Sequence, residues 1–325
     1  MNIKIYVSSR IDVKSTQISN ILYVPVHCGA VYRNKDSDTL LGDDTGDNIS
    51  DKRNSFCEFT VQYWAWKNQD ADYYGLCHYR RYLIFSNRKF KANNQEQILE
   101  CFLDRNAIRK YELADSALME KVIANYDIVV NQAADVRYID TPKGKMNTVL
   151  EHWEAHDGVF IDRRVLPMLI AAIKELYPQY SVATDEYLNG HFHRGYNCYV
   201  MRKDLFQQMC EFQFGVLFAM EEKLKQTDYT NGLERTLGYL GEIMYGIYVY
   251  YLEQQGEYKI KELQLVYFEQ TELPDSCLAY WLQKILYKTK FQFEDIGYVL
   301  LPKGSPRRNF VKKIYFALTG KNKTR

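Results

Sequence analysis

Several common signatures are missing from this 325-residue chain. No two of its seven cysteines, at positions 28, 57, 77, 101, 198, 210 and 277, form a CxxC pair. Their odd number and their place in apolar runs argue against a disulfide framework and for reduced thiols. The six histidines show no HExxH pattern, so a zinc-protease site is not expected. Neither a GxxxxGK[ST] loop nor a GxGxxG turn occurs, which argues against a phosphotransferase or dinucleotide enzyme. No apolar run approaches the roughly 20 residues that span a bilayer as a helix. Charge of one sign is not in excess: 42 Lys and Arg stand against 41 Asp and Glu, a net +1. A globally basic nucleic-acid binder is therefore not expected. The chain opens MNIKIYVSSR, directly with a strand pattern, so no signal peptide is expected. There is no internal repeat and no low-complexity block.

What is present is ample material for a core. Hydrophobic residues make up 46%, enough for one large domain or two small ones. Tyrosine occurs 28 times. Its flat face and polar tip suit stacking on sugars and bases, and equally suit an amphipathic core lining. Apolar runs at 4–8, 21–26, 71–77, 126–130, 198–201 and 258–268 read as strands. Helical patterns cover 55–68, 162–177, 203–225 and 231–251. The charged stretch 86–121 reads as mostly helical, an insertion over the site. Asn54 or Ser55 can cap the first helix, with Glu58 placed as in a capping box. Pro178 stops the second. Strands alternating with helices indicate an α/β domain.

Three clusters can carry chemistry, and the stretch 41–82 holds two of them. A short apolar strand there empties into His78, Tyr79, Arg80, Arg81 and Tyr82. The carboxyl ends of strands are where α/β sheets bind ligands, and an arginine fork can neutralise a diphosphate. The competing reading pairs these arginines with Asp43 or Asp44. The loop GDDTGDNIS offers Asp43, Asp44 and Asp47, with Asn48, Lys52 and Glu58 extending the polar face. It suits a metal or sugar hydroxyls, although its spacing departs from the Ca²⁺-loop pattern. An Asx-rich turn would have the same composition. In GYLGEIM, Glu242 follows a glycine turn at a helix start. It could deprotonate an acceptor hydroxyl, or simply favour the helix dipole. Asp157 is a second candidate base, and His152 and His156 could line an acceptor pocket. The small polar loop at Ser8, Ser9 and Arg10 suits the start of a nucleotide-binding sheet.

With the motifs YVPVHCGA, GDDTGDNIS, SFCEFTVQYWAWKN, YYGLCHYRRY, GYN-x-YVM and GYLGE, the chain resembles a known family. It is similar to the bacterial capsular and exopolysaccharide biosynthesis glycosyltransferases long catalogued as a domain of unknown function. The match covers about residues 3–270, with its first half long and specific and its second half looser. The resemblance implies a nucleotide-sugar-dependent transferase of GT-A type acting on lipid-linked glycans at the cytoplasmic face. It implies transfer of galactofuranose or another hexose. A more distant similarity, to glycogenin-like GT-A enzymes, bears on roles. In those enzymes a like helix leads to a strand ending in Asp-x-Asp, which binds Mn²⁺ and the diphosphate. Here His78-Tyr79-Arg80 stands at that place. The departure puts metal dependence in doubt and implies an arginine offsetting charge in the metal's stead. Gly195-Tyr196-Asn197 stands where those enzymes have a small Asn-Ala-Gly approach to a strand. Their later acidic motif falls near Glu242.

Together these readings predict a GT-A-like mixed, mostly parallel sheet flanked by helices. The expected domains are 1–270, the transferase, and 271–325, a small helical basic extension. Tyr6, Val7 and Ser8 would hold base and ribose, and His78, Tyr79, Arg80 and Arg81 the diphosphate. Asp43, Asp44, Asp47, Asn48, His156, Gly195, Tyr196 and Asn197 would meet sugar or acceptor. Glu242, then Asp157, would serve as base. The donor would be a nucleotide sugar, a UDP-sugar first, with no metal site assigned. The extension, through Phe310, Val311, Ile314, Tyr315 and Leu318 with Lys312 and Lys313 between, suits the inner face of the membrane. A catalytically inactive sugar-nucleotide or glycan-binding scaffold is the alternative.

Overall fold

A computed structural model describes residues 1–33 and 40–292, with 306, 307, 309–311 and 313. Lys312, Ile314, Tyr315 and Leu318 of the basic extension lie outside the described residues. The chain divides into two units, Met1–Glu272 and Leu273–Arg325. Strands of the first unit are β1 (Ile3–Arg10), β2 (Tyr23–Cys28), β3 (Leu41–Gly42), β4 (Tyr73–His78), β5 (Arg81–Ile84), β6 (Gln97–Phe102), β7 (Ile128–Asn131), β8 (Ala134–Asp135), β9 (Phe192–His193), β10 (Tyr199–Arg202) and β11 (Ile260–Gln270). Its helices are α1 (Arg53–Phe56), α2 (Phe59–Asn68), α3 (Arg105–Lys110), α4 (Ser116–Ile123), α5 (Val149–Glu154), α6 (Val165–Leu176), α7 (Ser181–Asn189), α8 (Lys203–Leu224) and α9 (Thr236–Gln255). The second unit holds α10 (Cys277–Gln292).

Among the described residues nine strands form one mixed sheet, and β8 pairs with β9 apart from it. β1 lies parallel to β2 and β4, β2 to β3, and β11 to β6 and β7. β10 runs antiparallel to β4 and β7, and β5 antiparallel to β4 and β11. The β4–β5 turn holds only Tyr79 and Arg80, with His78 opposite Arg81. HYRRY is therefore a tight hairpin rather than a strand running out into a loop.

Side-chain alternation along the strands divides the core between two faces. Tyr6, Tyr74, Leu76, Tyr199 and Met201 join α2, α6, α7, α8 and α9 on one side. Val7, Cys77, Cys198 and Val200 join β5, β6, α3 and α4 on the other. Each large side chain so buried contributes about 1.5–3 kcal/mol. Gly75 leaves room at the sheet centre, where a Cβ would meet Tyr199 O at 2.9 Å.

Two local expectations need correction. The helix expected over 55–68 is broken: Cys57 takes φ 52 between α1 and α2, and Ser55 makes no capping box. α2 itself is buried almost all round, from Phe59 to Ala65, which is why it tolerates the aromatic run. The charged stretch 86–121 is not mainly helical. It contributes β6 to the sheet, and α3 and α4 cap off with Asp104 and Asp115 accepting from Ala107 and Leu118 backbone N–H.

Candidate active site at the carboxyl ends of the strands

Parallel β1, β2 and β4 open on one side, and a cavity of about 490 Å³ lies there. β1 supplies Ser8 and Arg10, β2 supplies Cys28, and the β4–β5 hairpin supplies His78, Tyr79 and Arg80. α1 and the break after it add Arg53, Asn54, Cys57 and Glu58. Glu234 and Arg235, at the N-terminal end of α9, close the cavity. Arginines thus reach it from four separate segments. Arg10 is paired with Asp12. Arg53 Nη1 and Arg80 Nε are buried without a hydrogen-bond acceptor, which is the condition an anionic ligand relieves.

His78 Nδ1 accepts the Arg80 backbone N–H at 3.3 Å. Burial first, then Arg81, Arg80, Arg235 and Arg10, hold its imidazole well below the usual range. The ring is therefore neutral at pH 7, and with Nδ1 accepting, Nε2 carries the proton as a donor. Arg80 is fixed by ring contacts with Tyr79 at 5.4 Å and Tyr267 at 5.5 Å. Arg81 starts β5 and lies over Tyr196 and Tyr267, at 4.9 and 5.2 Å. It backs the hairpin and does not line the cavity.

The Gly195-Tyr196-Asn197 turn lies beside this pocket. Tyr196 at φ 75 and Asn197 at φ 44 are left-handed, a conformation that costs on the order of 1–3 kcal/mol per non-glycine residue. Asn197 Nδ2 donates to Glu58 Oε1 at 3.0 Å. A Cβ on Gly195 would meet Glu242 Oε1 at 2.7 Å and His193 Nε2 at 3.1 Å. The turn thus touches both the pocket carboxyl and Glu242. His193 Nε2 lies 3.8 Å from Glu242 Oε1, and His193 Nδ1 lies 2.8 Å from the Tyr187 hydroxyl. The expected glycine turn before Glu242 is helix: Gly238 and Gly241 sit inside α9. They are glycine because a Cβ would meet Cys57 Sγ at 3.0 Å and the Phe59 ring at 2.5 Å. Glu242 is also an electrostatic neighbour of Cys57. Burial, Glu58 and Glu242 push that thiol up to about 11, against the pull of Arg235.

Other expected site residues are placed elsewhere. Tyr6 and Val7 are buried on opposite faces of the sheet; only Ser8 of that trio lines the cavity. The Asp43 carboxyl is fully buried and accepts from the Gly29 and Ala30 N–H groups and from the Ser50 and Thr60 hydroxyls. Asp44 pairs with Arg33 at 3.4 Å. Asp47 accepts from the Tyr63 hydroxyl, and Asn48 bonds Gly46 O and Ser50 N–H. This loop is a strut beside α2, also gripped by Trp64 Nε1 on Thr45. It supports the pocket floor, since Gly29 and Ala30 directly follow Cys28. Asp157 accepts the Arg163 N–H at 3.0 Å, closing the turn before α6. His156 Nδ1 bonds His152 O at 2.7 Å, within a ring cluster that includes His193. Among the described residues, no group of three or more His, Cys, Asp or Glu is placed to hold a metal ion.

Arg53 and Arg235 were not expected in the site, and Arg10 was noted only as part of the polar loop after the first strand, without a ligand role. Strand alternation puts Arg10 on the face of Ser8, a signal available in sequence. Arg235 precedes α9, and a helix N-terminus suits a phosphate. Arg53 has no comparable local mark.

Residues 4–255 match a family described as "Domain of unknown function (DUF4422)". The chain belongs to this family. The DUF4422 region contains the whole cavity and Glu242. Among solved structures the chain is similar to one described as "WbbM bifunctional glycosytransferase apo structure", at 29% identity and TM-score 0.73. The likeness covers 85% of this chain and 48% of the WbbM chain, so this chain spans about half of that protein's length. No curated protein matches it.

Proposed function

We propose that this DUF4422 protein is a GT-A-type glycosyltransferase moving a hexose, galactofuranose among the candidates, from a UDP-sugar to a lipid-linked surface glycan. The observation that carries the reading is the cavity with Arg10, Arg53, Arg80 and Arg235 around it, two of them, Arg53 and Arg80, with a buried guanidinium N–H that has no hydrogen-bond partner. The likeness to a bifunctional glycosyltransferase supports the reaction class. Ser8 and Glu58 suit ribose or sugar hydroxyls, and neutral His78 donates to a phosphate oxygen. The reading assigns no metal ligand. Arginine charge instead offsets the leaving diphosphate.

In an inverting transfer the acceptor oxygen bonds to the anomeric carbon as the bond to the diphosphate breaks. The hydroxyl proton passes to Glu242. A positioned base contributes about 10²–10⁴-fold, so Glu242→Gln should lower kcat by that factor and leave UDP binding intact. Unchanged turnover would remove Glu242 from the mechanism. The deciding experiment is a thermal-shift panel of UDP-, GDP-, TDP- and CMP-sugars with and without Mn²⁺. A shift with one nucleotide is expected; no shift with any favours the binding-scaffold alternative. The reading also places the protein at the inner membrane face through α10. There Leu278, Trp281, Leu282 and Ile285 are exposed at helical spacing, in a helix without Asp or Glu.

A further inference from the structure

Tyr239 and Glu242 follow Arg235 at helical spacing on α9, so one face of that helix leads from the arginine pocket to the candidate base. Tyr239 lies 5.5 Å from the Arg235 guanidinium. On its other side a stack of rings begins. Phe160 is 5.0 Å from Tyr239 at 30°, and His156 is 4.7 Å from Phe160 at 11°. Trp153 packs against Tyr239, His156 and His193, at 5.9, 6.4 and 5.5 Å. Phe160 and Val159 remain exposed beside the stack, at 36% and 52%.

Aromatic rings alone would be core. This cluster also contains buried polar atoms that nothing in the protein satisfies. His152 Nδ1 and Trp153 Nε1 have no hydrogen-bond partner, although these residues are only 9% and 4% exposed. Buried polar groups in native proteins are nearly always paired. Flat rings, unpaired polar atoms and a carboxylate together form the surface that a sugar ring recognises, apolar on its C–H face and polar at its rim.

We infer that the Trp153, His156, Phe160 and Tyr239 wall is the acceptor subsite and takes a terminal hexose ring of the glycan. This rests on the glycosyltransferase reading for its chemistry, and it adds the place and the class of the acceptor. The ring lies along the wall, its rim hydroxyls answer His152 and Trp153, and one hydroxyl is delivered to Glu242. Gly195 belongs to the same design, because a Cβ there would enter the space between Glu242 and His193.

The test uses the full chain with octyl β-glycosides of galactose, glucose and mannose as probes, read by saturation-transfer NMR, and UDP read by thermal shift. At least one glycoside should bind. Phe160→Ala should weaken it tenfold or more, Phe160→Leu should do likewise while keeping the apolar volume, and Phe160→Tyr should restore it. The UDP shift should be the same in all four proteins. Glycoside binding that both Phe160→Ala and Phe160→Leu leave unchanged would overturn the subsite, as would no glycoside binding by the wild type. Phe160-dependent glycoside binding without any UDP shift would support the subsite and count against the donor reading.

Discussion

Asp43 is the acid the sequence makes most conspicuous, and the fold spends it on structure. Four donors converge on a carboxyl group with no exposure to water. Asp43→Ala would orphan them, at a cost of about 2–4 kcal/mol, read as a lower urea midpoint. If stability is unchanged and UDP binding is lost, Asp43 is a ligand residue and not a strut. His152 makes a pH prediction of definite sign. Burial first, then His193 and His156, lower it from 6.5 to about 3. The unfolded chain therefore takes up a proton that the folded chain refuses. Stability is full above pH 6.5 and falls as pH drops toward 3, by about 1.4 kcal/mol per pH unit for that proton. His152→Phe should flatten the dependence of the urea midpoint between pH 6.5 and 4; an unaltered slope would show that the proton goes elsewhere.

Elements place what residues cannot place alone. α9 carries glycines in its interior, where each is intrinsically about 0.5–1 kcal/mol worse than alanine. Gly246 is kept because a Cβ would strike the Tyr187 hydroxyl. That hydroxyl accepts the Arg194 N–H at 3.0 Å and orients His193 beside Glu242. Gly246→Ala should therefore lower turnover through Tyr187 despite its helix-propensity gain, with UDP affinity unchanged. Equal kcat in the two proteins would show that Tyr187 yields freely. The strands β4, β7, β10 and β11 were legible within a few residues, because short apolar runs bounded by polar turns admit little else. β6 was not: QILECF sits in a charged stretch, and only parallel pairing with β11 makes it a strand. The break at Cys57 was equally hidden, since the aromatic run across it reads as continuous helix.

At the scale of the molecule a net charge of +1 conceals a division. Residues 273–325 hold eleven Lys and Arg against three acids, a net +8, which leaves −7 for residues 1–272. Among the described residues no helix is long and apolar enough to cross a membrane. A basic segment with an exposed apolar helix face suits adsorption to an anionic surface instead. The full chain should co-sediment with phosphatidylglycerol vesicles and not with phosphatidylcholine, and be released as salt shortens the Debye length. Leu282→Glu with Ile285→Glu should abolish binding; retention by that double variant would clear α10 of the role.

The sequence by itself determined the α/β character, most strand positions and the cationic strand end at His78–Arg80. These are local properties: periodicity, turn residues and the charge of adjacent side chains. Tertiary structure alone decided that Arg10, Arg53 and Arg235 join Arg80 around one cavity, that Arg81 turns away, and that the aspartates of GDDTGD are consumed as a strut. Those outcomes depend on parallel pairing of β1, β2 and β4, and on the docking of α9 beside them. Such contacts join residues far apart in the chain, and no spacing along it records them.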